Sequence, residues 1–260
     1  EMKAGSTIAT PPDPSAEMRE AALAALGSTA LDRTVRLAAG FEWLAGAGSA
    51  EPGVWVVAEL GEAAARRPEW REGGEAAITI TAADGRVVAS ARGTISSSAR
   101  VFAWSSAGQP LKPGDYLVRM SARPAAGGEG AAGEQVRVSL PTGAATSTGQ
   151  TGTPRMFRRG PSTGTTYVQT AETKFRRVER VRVAVPIARA FSSLSGRLLD
   201  RRGQALGVPV TSEVREEEGR QVAVAEAVLA PLAPGDYLIE VTLGDAGSAR
   251  SVMLAFRIVT

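Results

Sequence analysis

The chain has 260 residues, with 30 Lys and Arg residues against 27 Asp and Glu residues, and it contains neither histidine nor cysteine. Histidine-based catalysis, histidine-ligated metal sites, thiolate catalysis, disulfides and iron–sulfur clusters are therefore excluded. A net charge of +3 over this length does not by itself indicate nucleic-acid binding, and no apolar run approaches the ~18 residues of a membrane span.

The first predicted element is a helix over residues 14–26. Asp13 and Pro14 form a favourable N-cap and first-turn pair, and Gly27 ends the pattern. Four residues at helical spacing form its apolar side: Met18, Ala22, Leu23 and Leu26. We expect this helix to lie in an N-terminal segment, residues 1–33, and to pack on the first of the domains that follow. The opening residues lack the apolar region of a signal peptide, and a start on Glu suggests that a leader was removed.

Residues 34–141 are predicted to form a β-sandwich. Seven short strands separated by turns are expected, at 34–44, 54–60, 76–81, 86–92, 101–104, 116–122 and 134–140. Asp84-Gly85 between two β-rich runs predicts a hairpin. The charged loop 61–75 carries Trp70, which is either a ring that stacks on a ligand or a plug at one end of the sandwich.

The rest of the chain is predicted to form a linker and a second sandwich. Gly, Ser, Thr and Pro dominate residues 142–154, and we assign 142–172 to a linker with a basic loop. Strands in the second domain, residues 173–260, are expected at 175–185, 195–199, 208–215, 221–228, 237–243 and 250–259. The predicted fold class is all-β, with two immunoglobulin- or fibronectin III-like sandwiches and one short N-terminal helix.

An internal repeat indicates that the two sandwiches are similar modules. The segment 111–118 recurs as 232–239, and both copies place Pro-Gly-Asp directly before a tyrosine. The turn carries the ring of Tyr116 or Tyr237 to the start of a strand, where its hydroxyl can bond a nearby backbone group. We therefore predict structural tyrosine corners at both positions.

No residue pattern in the chain predicts chemistry. The segment 160–164 matches the G-x-S-x-G pattern of a nucleophile elbow, but the required histidine is missing and we interpret it as a turn. Glu216, Glu217 and Glu218 stand before a glycine between two strands, as at a solvated hairpin tip. No catalytic residue, metal ligand or cofactor is predicted, and we expect a protein that is not an enzyme.

The strongest charge feature is basic. Residues 155–189 carry nine Lys and Arg residues against two Glu residues, with aromatic rings interleaved. Three interpretations stay open: a polyanion site, a wet strand face with partly paired charges, or a contact with a neighbouring domain. The candidate binding surface comprises Arg158, Arg159, Tyr167, Lys174, Arg176, Arg177 and Arg180, together with Trp70.

Several segments are similar to a known family. Residues 158–168, 170–172 and 175–180, together with 54–60 and 229–237, resemble the C-terminal region of large bacterial von Willebrand factor type A-related proteins. The resemblance implies export to the periplasm, the cell surface or the medium. It also implies an upstream type A domain that holds the metal-dependent adhesion site and that this sequence lacks. The resemblance brings no catalytic residue to this chain, which would act as a stalk or an interaction surface.

The function predicted from these observations is that of a structural or protein-interaction segment of an exported bacterial envelope protein. The alternative is a carbohydrate- or polyanion-binding sandwich that uses Trp70, Trp104 or Tyr167 as stacking rings beside the basic segment. An enzyme built on an unrecognised pair of carboxylates is the third class. The expected partner is a protein, or in the alternative an anionic glycan, and nucleic acid is not expected.

Overall fold

The computed structural model describes residues 14–28, 33–44, 51–107, 109–127, 130–142, 151–189, 191–245 and 248–260. Most of this part of the chain is in β-strands, and their four sheets pair into two sandwiches in which almost every strand pair is antiparallel. The prediction of an all-β, sandwich-type fold is confirmed.

The first sandwich contains seven strands, each matching one expected from the sequence. They are β1 (Val35–Leu44), β2 (Glu51–Leu60), β3 (Gly74–Ala82), β4 (Val87–Ile95), β5 (Val101–Ser105), β6 (Gly114–Pro124) and β7 (Ala132–Leu140). A three-stranded sheet in the order β1-β2-β5 packs on a four-stranded sheet in the order β4-β3-β6-β7. The β3–β4 hairpin turns at Gly85, whose φ of +84° explains the Asp-Gly signal.

Alternation along the strands builds the first core. Val54, Val56, Ala58 and Leu60 on β2 face the four-stranded sheet and are buried against it. The loop between β2 and β3 contains a short helix, α2 (Glu62–Ala65), and a 3-10 turn (Pro68–Trp70). Trp70 is only 1% exposed and belongs to this core, so the loop closes one end of the sandwich.

The second sandwich contains nine strands. They are β8 (Arg155–Arg159), β9 (Val168–Thr170), β10 (Lys174–Arg176), β11 (Arg180–Pro186), β12 (Ser193–Asp200), β13 (Val210–Glu217), β14 (Arg220–Val228), β15 (Gly235–Asp245) and β16 (Ser248–Val259). A five-stranded sheet in the order β13-β14-β11-β8-β9 packs on a sheet in the order β10-β16-β15-β12.

The boundary of the second sandwich differs from the prediction. Residues 155–159 and 168–170, assigned to a linker and basic loop over 142–172, are strands β8 and β9. β8 pairs with β11 and places Met156 in the second core, whereas the turn between β8 and β9 matches the loop-like composition. The single strand predicted over 175–185 is two strands in the structure. β10 pairs in parallel with β16, whereas β11 belongs to the other sheet. Residues 143–150 of the predicted linker lie outside the described residues.

The N-terminal helix α1 (Pro14–Ser28) packs on the second sandwich, not on the first as expected. Leu26 is buried with Leu199, Leu238 and Ala255, which lie on the outer face of β12, β15 and β16. Neighbouring residues such as Leu198 and Ile239 fill the second core from the opposite face. Strands with apolar residues on both faces need a cover on each side, and α1 supplies the outer one.

The two tyrosines of the repeat make the contacts expected of tyrosine corners. The Tyr116 hydroxyl donates to the carbonyl of Lys112 at 2.6 Å, and the Tyr237 hydroxyl donates to the carbonyl of Ala233 at 2.9 Å. In each case the bond spans four residues and closes the turn that precedes the strand. The repeat is therefore a local structural device used once in each sandwich.

We predict that Tyr116→Phe lowers the free energy of unfolding of the first sandwich by about 1 kcal/mol, because the Lys112 carbonyl loses its partner. Urea denaturation followed by tryptophan fluorescence measures the change. Ser90→Ala, on exposed β4, is the control and should stay within about 0.5 kcal/mol. Equal stability of the two variants would show that the corner bond contributes nothing.

Candidate functional site: the interface between the two sandwiches

The three-stranded sheet of the first sandwich is buried on both faces. On β2 the side chains of Trp55, Val57 and Glu59 point away from their own core, yet Val57 is fully buried and Glu59 is 2% exposed. β2 and β5 both contact β9 of the second sandwich. The three-stranded sheet therefore lies between its own partner sheet and the five-stranded sheet.

Glu42 on β1 carries the first ionic contact of this interface and is fully buried. It accepts a hydrogen bond from Arg220 Nη1 at 2.8 Å, and Arg155 Nη2 lies 3.4 Å away. The Ser105 hydroxyl donates to the same carboxylate. Burial lowers the pKa of Arg155 from its usual value, and the attraction of Glu42 opposes that effect. One carboxylate of the first sandwich thus meets two guanidinium groups of the second.

Glu59 on β2 carries the second ionic contact. Its Oε2 accepts three hydrogen bonds from the end of β9 and the two residues after it: the Thr170 hydroxyl at 2.6 Å, the Ala171 N–H at 2.9 Å and the Glu172 N–H at 3.0 Å. Its Oε1 lies 3.9 Å from Arg158 Nε. These contacts give the buried carboxylate hydrogen-bond partners inside the interface.

Arg158 is held by several contacts within the chain. It forms an ion pair with Glu179 at 3.3 Å and donates to the Lys174 carbonyl at 3.1 Å. Its guanidinium also lies 5.0 Å from the centre of the Phe175 ring, within cation–π range. This predicted site residue therefore stabilises the interface region and offers little to an external anion.

Residues 151–154, which lead into β8, are docked onto the interface. Thr153 exchanges two hydrogen bonds with the backbone of Phe41, at 2.8 and 3.1 Å, and the Trp55 indole donates to its carbonyl at 3.2 Å. It crosses β1 directly over Gly40, where an added Cβ would lie 2.3 Å from the Thr153 Cβ. Only a glycine permits this approach.

A cleft of about 430 Å³ opens at one edge of the interface, and both sandwiches line it. Its charged lining, which defines the interdomain cleft, consists of Arg33, Arg36, Arg66, Arg100, Arg158, Lys174 and Arg176 with Glu59, Glu62, Glu172 and Glu179. Arg36 and Glu172, 2.8 Å apart, form an ion pair near the floor. Arg66 and Arg176 both lie 2.5 Å from the same oxygen of Glu62 at the rim.

The rest of the predicted binding surface lies outside this cleft. Arg159 and Arg182 both lie over the ring of Tyr167, at 5.7 and 3.8 Å, and the Tyr167 hydroxyl donates to Glu226 at 3.0 Å. Burial and the bond to Glu226 raise the pKa of Tyr167. Its ring is therefore covered by guanidinium groups of the same chain.

Arg177, Arg180 and Trp70 also lie outside the cleft lining. Arg177 donates two bonds to the Ala230 carbonyl, and Arg180 is exposed on β11. Trp70 is buried in the first core, so its interpretation as a ligand-stacking ring is wrong. The structure therefore brings Arg158, Lys174 and Arg176 together in one cleft and leaves the other residues apart from it.

Sequence reasoning missed the residues on which the interface depends. Glu42, Glu59 and Arg36 lie on β1 and β2, far along the chain from the basic segment that they meet. A signal was present, because Glu42 and Glu59 are carboxylates within mostly apolar strands. Such a residue is retained in a buried strand only when a partner satisfies it.

Comparisons with known proteins add a distant structural likeness. No protein-family model matches the chain, and no curated protein is similar to it. One solved structure with a related arrangement is SGBP-B of a Bacteroides ovatus mixed-linkage glucan utilization locus, in complex with a mixed-linkage heptasaccharide. The identity is 14% over 73% of this chain, with a TM-score of 0.23, and the match spans 38% of that protein. A likeness of this degree carries no argument about function.

We predict that Glu42→Gln lowers the free energy of unfolding by about 3–5 kcal/mol, because Arg155 and Arg220 stay buried without their shared counter-charge. The matched control is Glu213→Gln, which removes the same charge from an exposed pair with Arg215 and should cost at most about 1 kcal/mol. Denaturant titration measures both. A Glu42→Gln variant as stable as the control would contradict the assigned ionic contact.

Gly40→Ala should loosen the docked segment, because its new methyl group overlaps the Thr153 Cβ. We expect a loss of about 1–3 kcal/mol, typical of overpacking, seen as a lower midpoint in scanning calorimetry. Gly133→Ala is the control, since its added Cβ would meet only the Met120 carbonyl at an ordinary 3.5 Å. The close approach over Gly40 would be refuted by equal midpoints for the two variants.

Proposed function

We propose that this chain is a non-catalytic, rigid two-sandwich segment that holds its attached regions or binding partners at a fixed separation and orientation. Export and a place in a bacterial envelope protein enter the proposal from the resemblance to von Willebrand factor type A-related proteins. The expected partner is another protein. In the part of the chain that the structure describes, no helix combines the length and hydrophobicity needed to cross a membrane.

The ion pairs buried between the sandwiches are the observation that carries the proposal. Glu42 and Glu59 project from the three-stranded sheet, and their charge-assisted hydrogen bonds come mainly from the second sandwich. Another docking angle would leave a carboxylate or a guanidinium buried without a partner, at a cost of several kcal/mol (about 3–5). The interface therefore favours a single docking angle between the two sandwiches. A spacer of defined geometry needs such a fixed angle.

A non-catalytic role is supported by composition and by the use of the charged groups. With no histidine or cysteine, the chain lacks the side chains that most often act as base or nucleophile near neutral pH. Within the described ranges, no three acidic side chains lie close enough to hold a metal ion. The buried carboxylates of the interface are each paired with arginine.

The alternative of a glycan-binding module would not rest on stacked aromatic rings. Trp70 is buried, Trp104 packs partly buried against the first core, and the Tyr167 ring faces Arg182. A glycan function would have to use charged and polar groups instead, and the interdomain cleft is where these converge.

A distance measurement between the sandwiches tests the rigid arrangement. Because the chain has no native cysteine, Ser90→Cys on β4 and Thr211→Cys on β13 provide a unique pair of exposed spin-label sites. Double electron–electron resonance should give one narrow distance distribution, unchanged between about 0.05 and about 1 M salt, because buried charges are weakly screened. Adding both Glu42→Gln and Glu59→Gln to the spin-labelled protein should broaden the distance distribution, whereas adding Glu213→Gln should not.

A broad distribution in the otherwise unmodified chain would overturn the proposal, since the sandwiches would then move independently. A distribution that broadens only at high salt would also overturn it, because the docking would depend on exposed charges.

A further inference from the structure

The interdomain cleft has the location and size of a ligand site. It lies where the end of β2 and helix α2 of the first sandwich face the β9–β11 region of the second. Its volume of about 430 Å³ is within the range of about 300–1,000 Å³ typical of small-molecule sites, which often form between domains.

The net positive charge of the molecule is concentrated in the cleft. Its lining has seven Arg and Lys side chains against four carboxylates, an excess of three. This excess equals the net charge of +3 of the whole chain, so the rest of the chain is balanced. A net excess of positive charge in a cleft raises the local concentration of negatively charged ligands.

The excess charge lies at the rim and not on the floor. On the floor, Arg36 is buried and pairs with Glu172, and Arg158, whose side chain is 11% exposed, pairs with Glu179. At the rim, Arg66 and Arg176 share the single carboxylate of Glu62 and are 73% and 53% exposed. Two guanidinium groups on one carboxylate leave donor capacity for a second anion.

Arg100 adds a third guanidinium to the lining. It has a φ of +60°, a conformation that a non-glycine residue rarely adopts and that clusters at functional sites. The backbone holds it there, since the Leu60 N–H donates to its carbonyl and its own N–H donates to the Ser96 carbonyl. Arg100 forms no ion pair with any residue that the structure describes.

We infer that the interdomain cleft binds a sugar acid, a ligand that carries both a carboxylate and hydroxyl groups. Planar guanidinium groups such as those of Arg66, Arg100 and Arg176 bind carboxylates in bidentate geometry. The carboxylates of Glu62 and Glu172 accept hydrogen bonds from hydroxyl groups. No aromatic side chain lines the described cleft, so recognition uses charge and hydrogen bonds.

Binding would bridge the two sandwiches, because Arg66 and Arg100 belong to the first and Arg176 to the second. This inference goes beyond the proposed spacer role and does not depend on it. The spin-label distances test rigidity without any ligand, so the failure of one proposal is distinguishable from the failure of the other.

Isothermal titration calorimetry with digalacturonate, at low salt, tests the inference. The unmodified chain should bind it, and galactose, which has no carboxylate, should not bind. Succinate, which has two carboxylates and no hydroxyl group, should bind at least about tenfold more weakly. Arg100→Gln should weaken digalacturonate binding about tenfold or more, the effect of one lost charge-assisted contact, and Arg66→Gln with Arg176→Gln should abolish it.

Arg119→Gln is the matched control, because this exposed arginine lies on β6 away from the cleft and its loss changes the net charge equally. It should leave the affinity unchanged. If Arg100→Gln does not fold, Arg100→Gly replaces it in the test. Glycine adopts a φ of +60° without strain, so this second variant removes the guanidinium and keeps the fold. The inference is overturned by absence of digalacturonate binding, by equal binding of galactose or succinate, or by Arg119→Gln weakening the affinity as much as Arg100→Gln.

Discussion

The burial of two carboxylates between the sandwiches is the constraint on which the rest of the structure depends. Glu42 and Glu59 lie on adjacent strands of one sheet, and each must find donors on the other sandwich. A charge buried without a partner costs more than a mismatched apolar contact, so electrostatics select the docking angle. Val57 and Trp55 on the same face supply apolar burial. Specificity and stability thus come from different residues of one sheet.

The docked arrangement explains features that otherwise appear unrelated. The three-stranded sheet has apolar residues on both faces because it is the middle layer between two other sheets. The residues just before β8 approach β1 closely because Gly40 leaves room for Thr153. At the edge of the interface the charges no longer pair one to one, and the surplus arginines, among them Arg100, line the interdomain cleft. The same charge pattern that positions the sandwiches therefore creates the candidate ligand site.

Local signals predicted much of the fold, and non-local pairings limited the prediction. The strands of the first sandwich, the Asp-Gly hairpin and the contacts of Tyr116 and Tyr237 follow from residues a few positions apart. The basic composition of β8 predicts a loop, and pairing with β11 makes it a strand. The apolar side of helix α1 predicts that the helix packs on a sandwich, but it does not specify which one.

The amino-acid sequence is sufficient to predict the fold class, the strand alternation and the two turn-and-tyrosine repeats, and to exclude histidine and cysteine chemistry. Each of these depends on composition or on spacings of a few residues. The tertiary structure alone decided the roles of the charged residues. Glu59 meets Thr170 across 111 positions and Glu42 meets Arg220 across 178. Whether an arginine binds a ligand or pairs inside the chain depends on which carboxylate the folded chain brings within about 4 Å of it, and local spacing does not encode that distance.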